Sequence, residues 1–393
     1  MKLKKITAAI LVTSLLSGCA AQTRFKSPTE ELQGKYHPLG VEGLRYFGTE
    51  ADAPIPEGVI DEHVQALNKH HFKDGSGTMN HLALSGGGGG GAYGAGLLNA
   101  WSARGDRPEF HTVTGVSTGS IIAVFAYLGV EYDRPLKHFY TKTEAKDLYE
   151  LISIFDIFNV TGVLDTHAFE TTVRQTITPE MLSSIADERK KGRLLLVATT
   201  NLDAQKPVIW DMGKIAQLGS KESEALFEDV IIASSSIPGA FPAKMINTTH
   251  DGEKVSEMHV DGGTTNQVFL YPHSYVIDTE MGDKLSVEHD VFVIRNSQLA
   301  PEWSLTDITL PAVASRSLDT VLKYQGRLDV ERIYNYAQSN DMTFKLAYID
   351  DGFEYSAPDR ELVTAEYMSE LYNYAYKRMM LNRVWKDKPD YAK

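Results

Sequence analysis

The chain has a single cysteine, Cys19, in 393 residues, so no disulfide forms within one molecule and oxidising chemistry offers it no internal staple. It is short of cations: 39 Lys and Arg stand against 52 Asp and Glu, a formal charge of −13. Binding to phosphate backbones needs clustered basic residues, so nucleic acid is excluded as a partner. Adsorption to anionic lipid through a polybasic face is excluded on the same ground. The apolar run Ile6 to Leu16 has 11 residues, too few to cross a bilayer as a helix. There is no internal repeat, no calcium-loop spacing and no His/Cys cluster, so no metal and no cofactor is expected. The run of glycines from Gly86 to Gly91 leads into Ala92-Tyr93 and not into Lys-Ser/Thr, which removes the P-loop reading.

What is present starts at the N-terminus. Lys2, Lys4 and Lys5 precede the apolar run, the layout of an export signal. Leu16-Ser17-Gly18-Cys19 then resembles the bacterial lipobox, whose cysteine is lipidated and becomes the new N-terminus. The resemblance implies a signal peptide over residues 1–18 and a palmitate-bearing lipoprotein anchored to a membrane through Cys19. With Ala20 in place of Asp, the expected destination is the outer membrane. The alternative is an incidental cysteine at an ordinary cleavage site, which Ala20-Ala21 permit.

Residues 19–75 are rich in Pro, Gly and charge and read as a tether and irregular segment, although Leu44, Tyr46 and Phe47 allow some packing. From His81 the pattern sharpens. His81 to Ser85 is a short apolar strand entering the glycine run, and Leu97, Leu98 and Trp101 sit at helical spacing after it. Thr112 to Thr114, Arg193 to Thr200 and Val291 to Ile294 read as further strands, with an apolar helix over Ser120 to Leu128. Strands alternating with helices predict an α/β fold with a mainly parallel sheet covered on both faces. The expected organisation is a core over 76–275 and a C-terminal extension over 276–393 packed on it, with a long packing helix within Asp359 to Trp385.

Three patterns carry chemistry. Gly86 to Gly91, between a strand and a helix, offers bare N–H groups and a positive helix end to an anion, either a phosphate or a transient oxyanion. Gly115-Val116-Ser117-Thr118-Gly119 has the form of a nucleophile elbow, with the strand before it and the helix after it that such a turn needs. Asp261-Gly262-Gly263 closes an apolar segment with a tight turn that holds a carboxylate outward. A partly desolvated carboxylate in reach of a hydroxyl serves as its base. Histidine is the commoner base, and His111, His167 and His259 are available. None stands in a triad context, and His259, two residues before Asp261, is expected to point the other way.

Taken together these motifs resemble those of the patatin-like phospholipases. The glycine motif matches Ser85 to Tyr93, the elbow matches Gly115 to Gly119, and the aspartate motif matches Asp261 to Gly263. The segment Ala233 to Pro242 looks like the family's stretch before the aspartate. The resemblance implies a three-layer α/β/α fold and a lipid acyl hydrolase of phospholipase A or lysophospholipase type. Ser117 would be the nucleophile, Asp261 the base, and Gly87, Gly88 and Gly89 the oxyanion donors. A membrane lipid or lysolipid is then the substrate. Many members carry Arg or Lys where this chain has Gly90, which weakens the expected oxyanion site. An acyltransferase on the same dyad and a weakly catalytic scaffold lipoprotein stay open as alternatives.

Overall fold

The computed structural model describes residues 26–48, 59–73, 75–142, 150–151, 161–271, 287–355 and 364–391; the signal segment and Cys19 lie outside them. Two short strands, β1 (His37–Pro38) and β2 (Arg45–Phe47), precede helix α1 (Val59–His70). The alternation follows: β3 (Thr78–Leu84), α2 (Gly91–Arg104), β4 (Thr112–Val116), α3 (Thr118–Leu128) and α4 (Asp133–Lys142). A separate pair, β5 (Glu150–Leu151) with β6 (Leu164–Asp165), leads to α5 (His167–Thr176) and α6 (Pro179–Lys190). Next come β7 (Leu194–Asn201), β8 (Lys206–Asp211), α7 (Met212–Gln217), α8 (Lys221–Ser234), β9 (Lys244–His250) and β10 (Glu253–Asp261). The chain closes with β11 (Glu288–Arg295), α9 (Leu310–Ser339), β12 (Thr343–Tyr348) and α10 (Ala365–Met380).

The main sheet has ten strands. Its centre is parallel, with β12, β11, β3, β4 and β7 side by side in that order. Antiparallel strands complete it, β8 and β2 beyond one edge of β7 and the series β10, β9, β1 on the other. Side chains alternate across a sheet with period two. Leu82, Leu84, Phe292 and Ile294 accordingly pack with residues of α2, α3 and α10. Ala83, Val291, Val293 and Leu346 pack on the other face with residues of α1 and α9. Helices cover both faces, the three-layer α/β/α arrangement that the alternation predicts. It also explains why β7 is buried at every position and reads as one apolar run.

One edge of β7 is shared by two strands. Leu194 to Ala198 pair with β4, and Thr199 to Asn201 pair with β10, which arrives from the opposite direction. β4 thus ends at Val116 opposite Ala198, and β10 ends at Asp261 opposite Thr199, the very next residue. Ser117 and Asp261 are delivered to one place because two strands meet end to end along a third.

Both flanks of the central alternation add strands to the sheet. The segment read as a tether over 19–75 contributes β1, β2 and α1, and Leu44, Tyr46 and Phe47 are buried. Arg45 fastens it through a buried bidentate ion pair with Glu257 on β10. The extension over 276–393 supplies strands as well as a covering layer: β11 lies between β3 and β12, since an apolar run such as Val291 to Ile294 needs neighbours on both edges.

Candidate active site

Ser117 stands between β4 and α3 with φ 54° and ψ −129°, a conformation that non-glycine residues rarely adopt. The surroundings hold it there. Its N–H donates to Ser234 Oγ at 3.0 Å, and that hydroxyl donates to the Ala198 carbonyl at 2.7 Å. Its carbonyl accepts from the Ser120 N–H at 2.8 Å and the Ser120 hydroxyl at 2.6 Å. The glycines of the motif are required by close approach. A Cβ on Gly115 would lie 2.5 Å from the Gly119 carbonyl oxygen, and one on Gly119 would lie 2.5 Å from that of Leu84.

Asp261 ends β10 and is buried. Its N–H donates to the Ser236 carbonyl at 2.8 Å, and its Oδ1 accepts from the Gly263 N–H at 2.7 Å. The Ser234-Ser235-Ser236 stretch therefore ties down the backbones of Ser117 and Asp261 alike, through its first and third residues. Burial pushes the Asp261 carboxyl up to about 6, against the hydrogen bonds from the Ser117 hydroxyl and the Gly263 N–H, which pull it down. The Ser117 hydroxyl is thus near enough to the Asp261 carboxyl to bear on its ionisation.

The glycine run passes beside this pair: the Cβ position of Gly86 is 3.1 Å from Ser117 Cβ. Within the run, Gly86 N–H donates to the Gln267 carbonyl, Gly90 N–H to Gly87, and Gly91 N–H to Gly88 and Gly89. The N–H groups of Gly87, Gly88 and Gly89 have no partner among the described residues. Gly87 and Gly88 are exposed, so the loop side is where the site opens to solvent. Gly90, where the sequence reading notes a missing cation, has no room for one: a Cβ there would lie 2.1 Å from the Asn296 carbonyl oxygen.

A cation reaches the loop from elsewhere, and the sequence reading did not find it. Arg295, the buried last residue of β11, donates through Nη1 to Gln267 Oε1 at 2.9 Å and to the Gly86 carbonyl at 3.4 Å. Burial lowers its pKa to about 10, opposed by the charge of Asp329, and it remains protonated at neutral pH. Gln267 Nε2 donates to the Gly263 carbonyl at 2.9 Å, and its N–H donates to Asp329 Oδ2 on α9 at 2.7 Å. Asn296 completes the frame, donating to Ser85 Oγ and the Ser85 carbonyl and accepting from Gly94 N–H. The one signal in the sequence is a polar pair, Arg295-Asn296, closing an otherwise apolar strand.

The tempting histidines lie elsewhere or are occupied. His111 precedes β4 and so sits at the end of that strand remote from Ser117. His167 opens α5. His259 shares a face with Asp261, as period two demands, and not the opposite face expected above. Trp210 Nε1 donates to Thr199 Oγ1, which lies 2.9 Å from His259 Nδ1, while His259 Nε2 lies 3.3 Å from Glu257. Those contacts assign its proton to Nε2, directed at Glu257 and away from Ser117. The fold also gathers His71, Glu109 and His111, although their spacing gives no metal signature. His111 Nδ1 accepts from the Asn80 N–H at 3.0 Å, which places the ring proton on Nε2 and leaves that nitrogen without a lone pair for an ion.

Residues 82–272 match a family model, Patatin, described as Patatin-like phospholipase. No curated protein sequence matches the chain. Among solved structures the chain is similar to VipD from Legionella pneumophila, with TM-score 0.37, 10% identity, and coverage of 95% of this chain and 73% of that one. It is also similar to human GIVD cytosolic phospholipase A2, with TM-score 0.35, 9% identity and coverage of 82% of this chain. It spans 62% of the length of that second protein. At these TM-scores neither likeness bears on the chemistry.

Proposed function

The chain belongs, through residues 82–272, to the Patatin-like phospholipase family, and from that premise we propose a lipid acyl hydrolase of phospholipase A or lysophospholipase type working through Ser117 and Asp261. The observation that carries this reading is a serine in a strained turn, close to a buried carboxylate of raised pKa and beside three glycine N–H groups with no partner among the described residues. Asp261 takes the Ser117 proton as Oγ attacks the ester carbonyl. The oxyanion so formed is received by the N–H groups of Gly87, Gly88 and Gly89. Collapse expels the alcohol, the lysolipid or glycerophosphoryl part, which receives its proton back from Asp261. The acyl group remains on Ser117 until water, deprotonated by Asp261, attacks the acyl carbonyl and a fatty acid leaves.

Arg295 supplies what Gly90 does not. Its guanidinium polarises the Gly86–Gly87 peptide through the carbonyl, so the Gly87 N–H becomes a stronger donor to an oxyanion. Gln267 links the same guanidinium to the Asp261 turn. Lipid anchorage through Cys19 in a bacterial outer membrane fits this activity, because it holds the acidic body at its substrate.

Labelling with a fluorophosphonate, followed by hydrolysis of a lysophospholipid, tests the reading. Label and fatty-acid release are expected in the wild type, lost in Ser117→Ala and reduced at least about 10²-fold in Asp261→Asn. Labelling that survives Ser117→Ala would name another nucleophile.

A further inference from the structure

Nine of the large apolar side chains left exposed among the described residues crowd into one stretch, Trp303 to Leu328. Trp303, Leu305 and Ile308 lie on the irregular approach to α9, Trp303 being 85% exposed. On α9 itself the exposed set is Leu310, Val313, Leu318, Val321, Tyr324 and Leu328. At about 100° per residue these six fall in one stripe about 140° wide. The buried residues of the helix begin only at Gly326 and lie on the other side.

The stripe stands at the catalytic edge. β11 runs parallel to β3 and β4, so the chain leaves it at Arg295 where β3 gives way to the glycine run and β4 to Ser117. α9 has 30 residues, about 45 Å of helix, while β11 has 8, about 26 Å of strand. Its first 16 residues, about 24 Å, precede the first buried position and project beyond the sheet. Asp329, just inside the buried part, holds the helix to the site through the Gln267 N–H.

We infer that this arm is a docking surface for an electrically neutral, zwitterionic phospholipid surface, seating the opening at Gly87 and Gly88 against the lipid. This names how the substrate of the proposed hydrolase is presented, and rests on that reading for the substrate alone. Charge selects the occupant. From Pro301 to Leu328 three acids (Glu302, Asp307, Asp319) balance three cations (Arg316, Lys323, Arg327), in a chain of −13. Two of these, Glu302 and Lys323, pair directly at 2.8 Å. The arm is therefore the neutral part of an acidic molecule, which an anionic surface repels. An exposed tryptophan above a wide apolar stripe suits the boundary between headgroups and acyl chains. A second copy fits less well, since pairing α9 with itself would leave Trp303, Leu305 and Ile308 uncovered. No helix among the described residues is long and apolar enough to cross a membrane.

Trp303 is the test, because of the four tryptophans Trp101 and Trp210 are buried and Trp385 is half-buried. Full-length protein is mixed with vesicles of brominated phosphatidylcholine, with and without phosphatidylglycerol, and tryptophan quenching is recorded. The wild type should be quenched, less so on the anionic vesicles. Trp303→Phe should lose nearly all of the quenching. The triple variant Leu310→Ser/Val321→Ser/Leu328→Ser should need about tenfold more lipid, while hydrolysing a soluble short-chain ester like the wild type. A Ser117→Ala protein should be quenched normally. Quenching without hydrolysis of any ester would remove the catalytic reading and leave the docking surface standing. The inference is overturned by an unquenched wild type, by a triple variant as sensitive as the wild type, by preference for the anionic vesicles, or by a wild-type dimer that the triple variant dissociates.

Discussion

Asp261 shows how far one residue's setting links stability to activity. Its carboxyl titrates near 6 in the folded protein and near its ordinary value, 3.8, when unfolded. The base must be ionised to take the Ser117 proton, so kcat/KM on a soluble ester should rise about tenfold per pH unit below 6 and level off above it. Stability runs the other way. Between about pH 4 and pH 6 the folded state keeps a proton that the unfolded chain releases, so stability falls as pH rises through that window. Above it the buried ionised group costs on the order of 2–3 kcal/mol. Urea titration should therefore find Asp261→Asn inactive yet more stable than the wild type at pH 8, with the difference vanishing at pH 4. Arg295→Met should lower kcat about 10²-fold with a smaller change in KM, and Arg295→Lys should recover part of it. Equal losses in both variants, matched by lost thermal stability, would reduce Arg295 to a structural role.

At the scale of elements, the glycine run and the elbow form one device clamped by Asn296 and Ser234. Gly90→Arg restores the residue common at this place in the resembled family, but its Cβ would meet the Asn296 carbonyl oxygen. The expected outcome is a loss of roughly 2–3 kcal/mol in unfolding free energy and no gain in kcat, measured by thermal melting and ester turnover. This is also the scale at which the sequence is most legible. The helical spacing of Leu97, Leu98 and Trp101 is α2, and the strand read from Arg193 to Thr200 is β7, because apolar periodicity and glycine punctuation are local signals. The places of Ser117 and Asp261 follow from their motifs. Arg295 was hidden because its meaning lies in contact with Gly86 and Gln267, residues remote in sequence. β1 and β2 were missed because two- and three-residue strands carry no period, and only their pairing with β9 and β8 makes them strands.

For the molecule as a whole, a buried charge pair adds to the strand pairing and apolar burial that hold the N-terminal segment. Burial pushes the Glu257 carboxyl up, but the charge and hydrogen bonds of Arg45 outweigh it and hold the group well below the usual carboxylate range. Asn201 also donates to it. Arg45→Ala would leave that carboxylate buried without its cation, a loss of about 3–5 kcal/mol by denaturant titration. Because the folded carboxyl is depressed, the pair stabilises at neutral pH, and its contribution fades as pH falls below the unfolded carboxyl's titration near 4. Limited proteolysis should cut Arg45→Ala ahead of β3 while the wild type resists, and a wild type cut at the same rate would show that the pair does not hold the segment.

The shared edge of β7 makes that strand a ruler for chemistry in which none of its side chains takes part. The distance from nucleophile to base is one step along its backbone, Ala198 to Thr199, and loop lengths elsewhere do not enter it. Chain inserted between β4 and β7, or between β7 and β10, leaves the reading on the ruler unchanged so long as both strands keep their register. Shifting β10 by a single residue moves the carboxylate to the wrong face. A fold graduated in this way can exchange its surroundings freely, lids and arms and anchors included, while the reacting atoms stay at one mark.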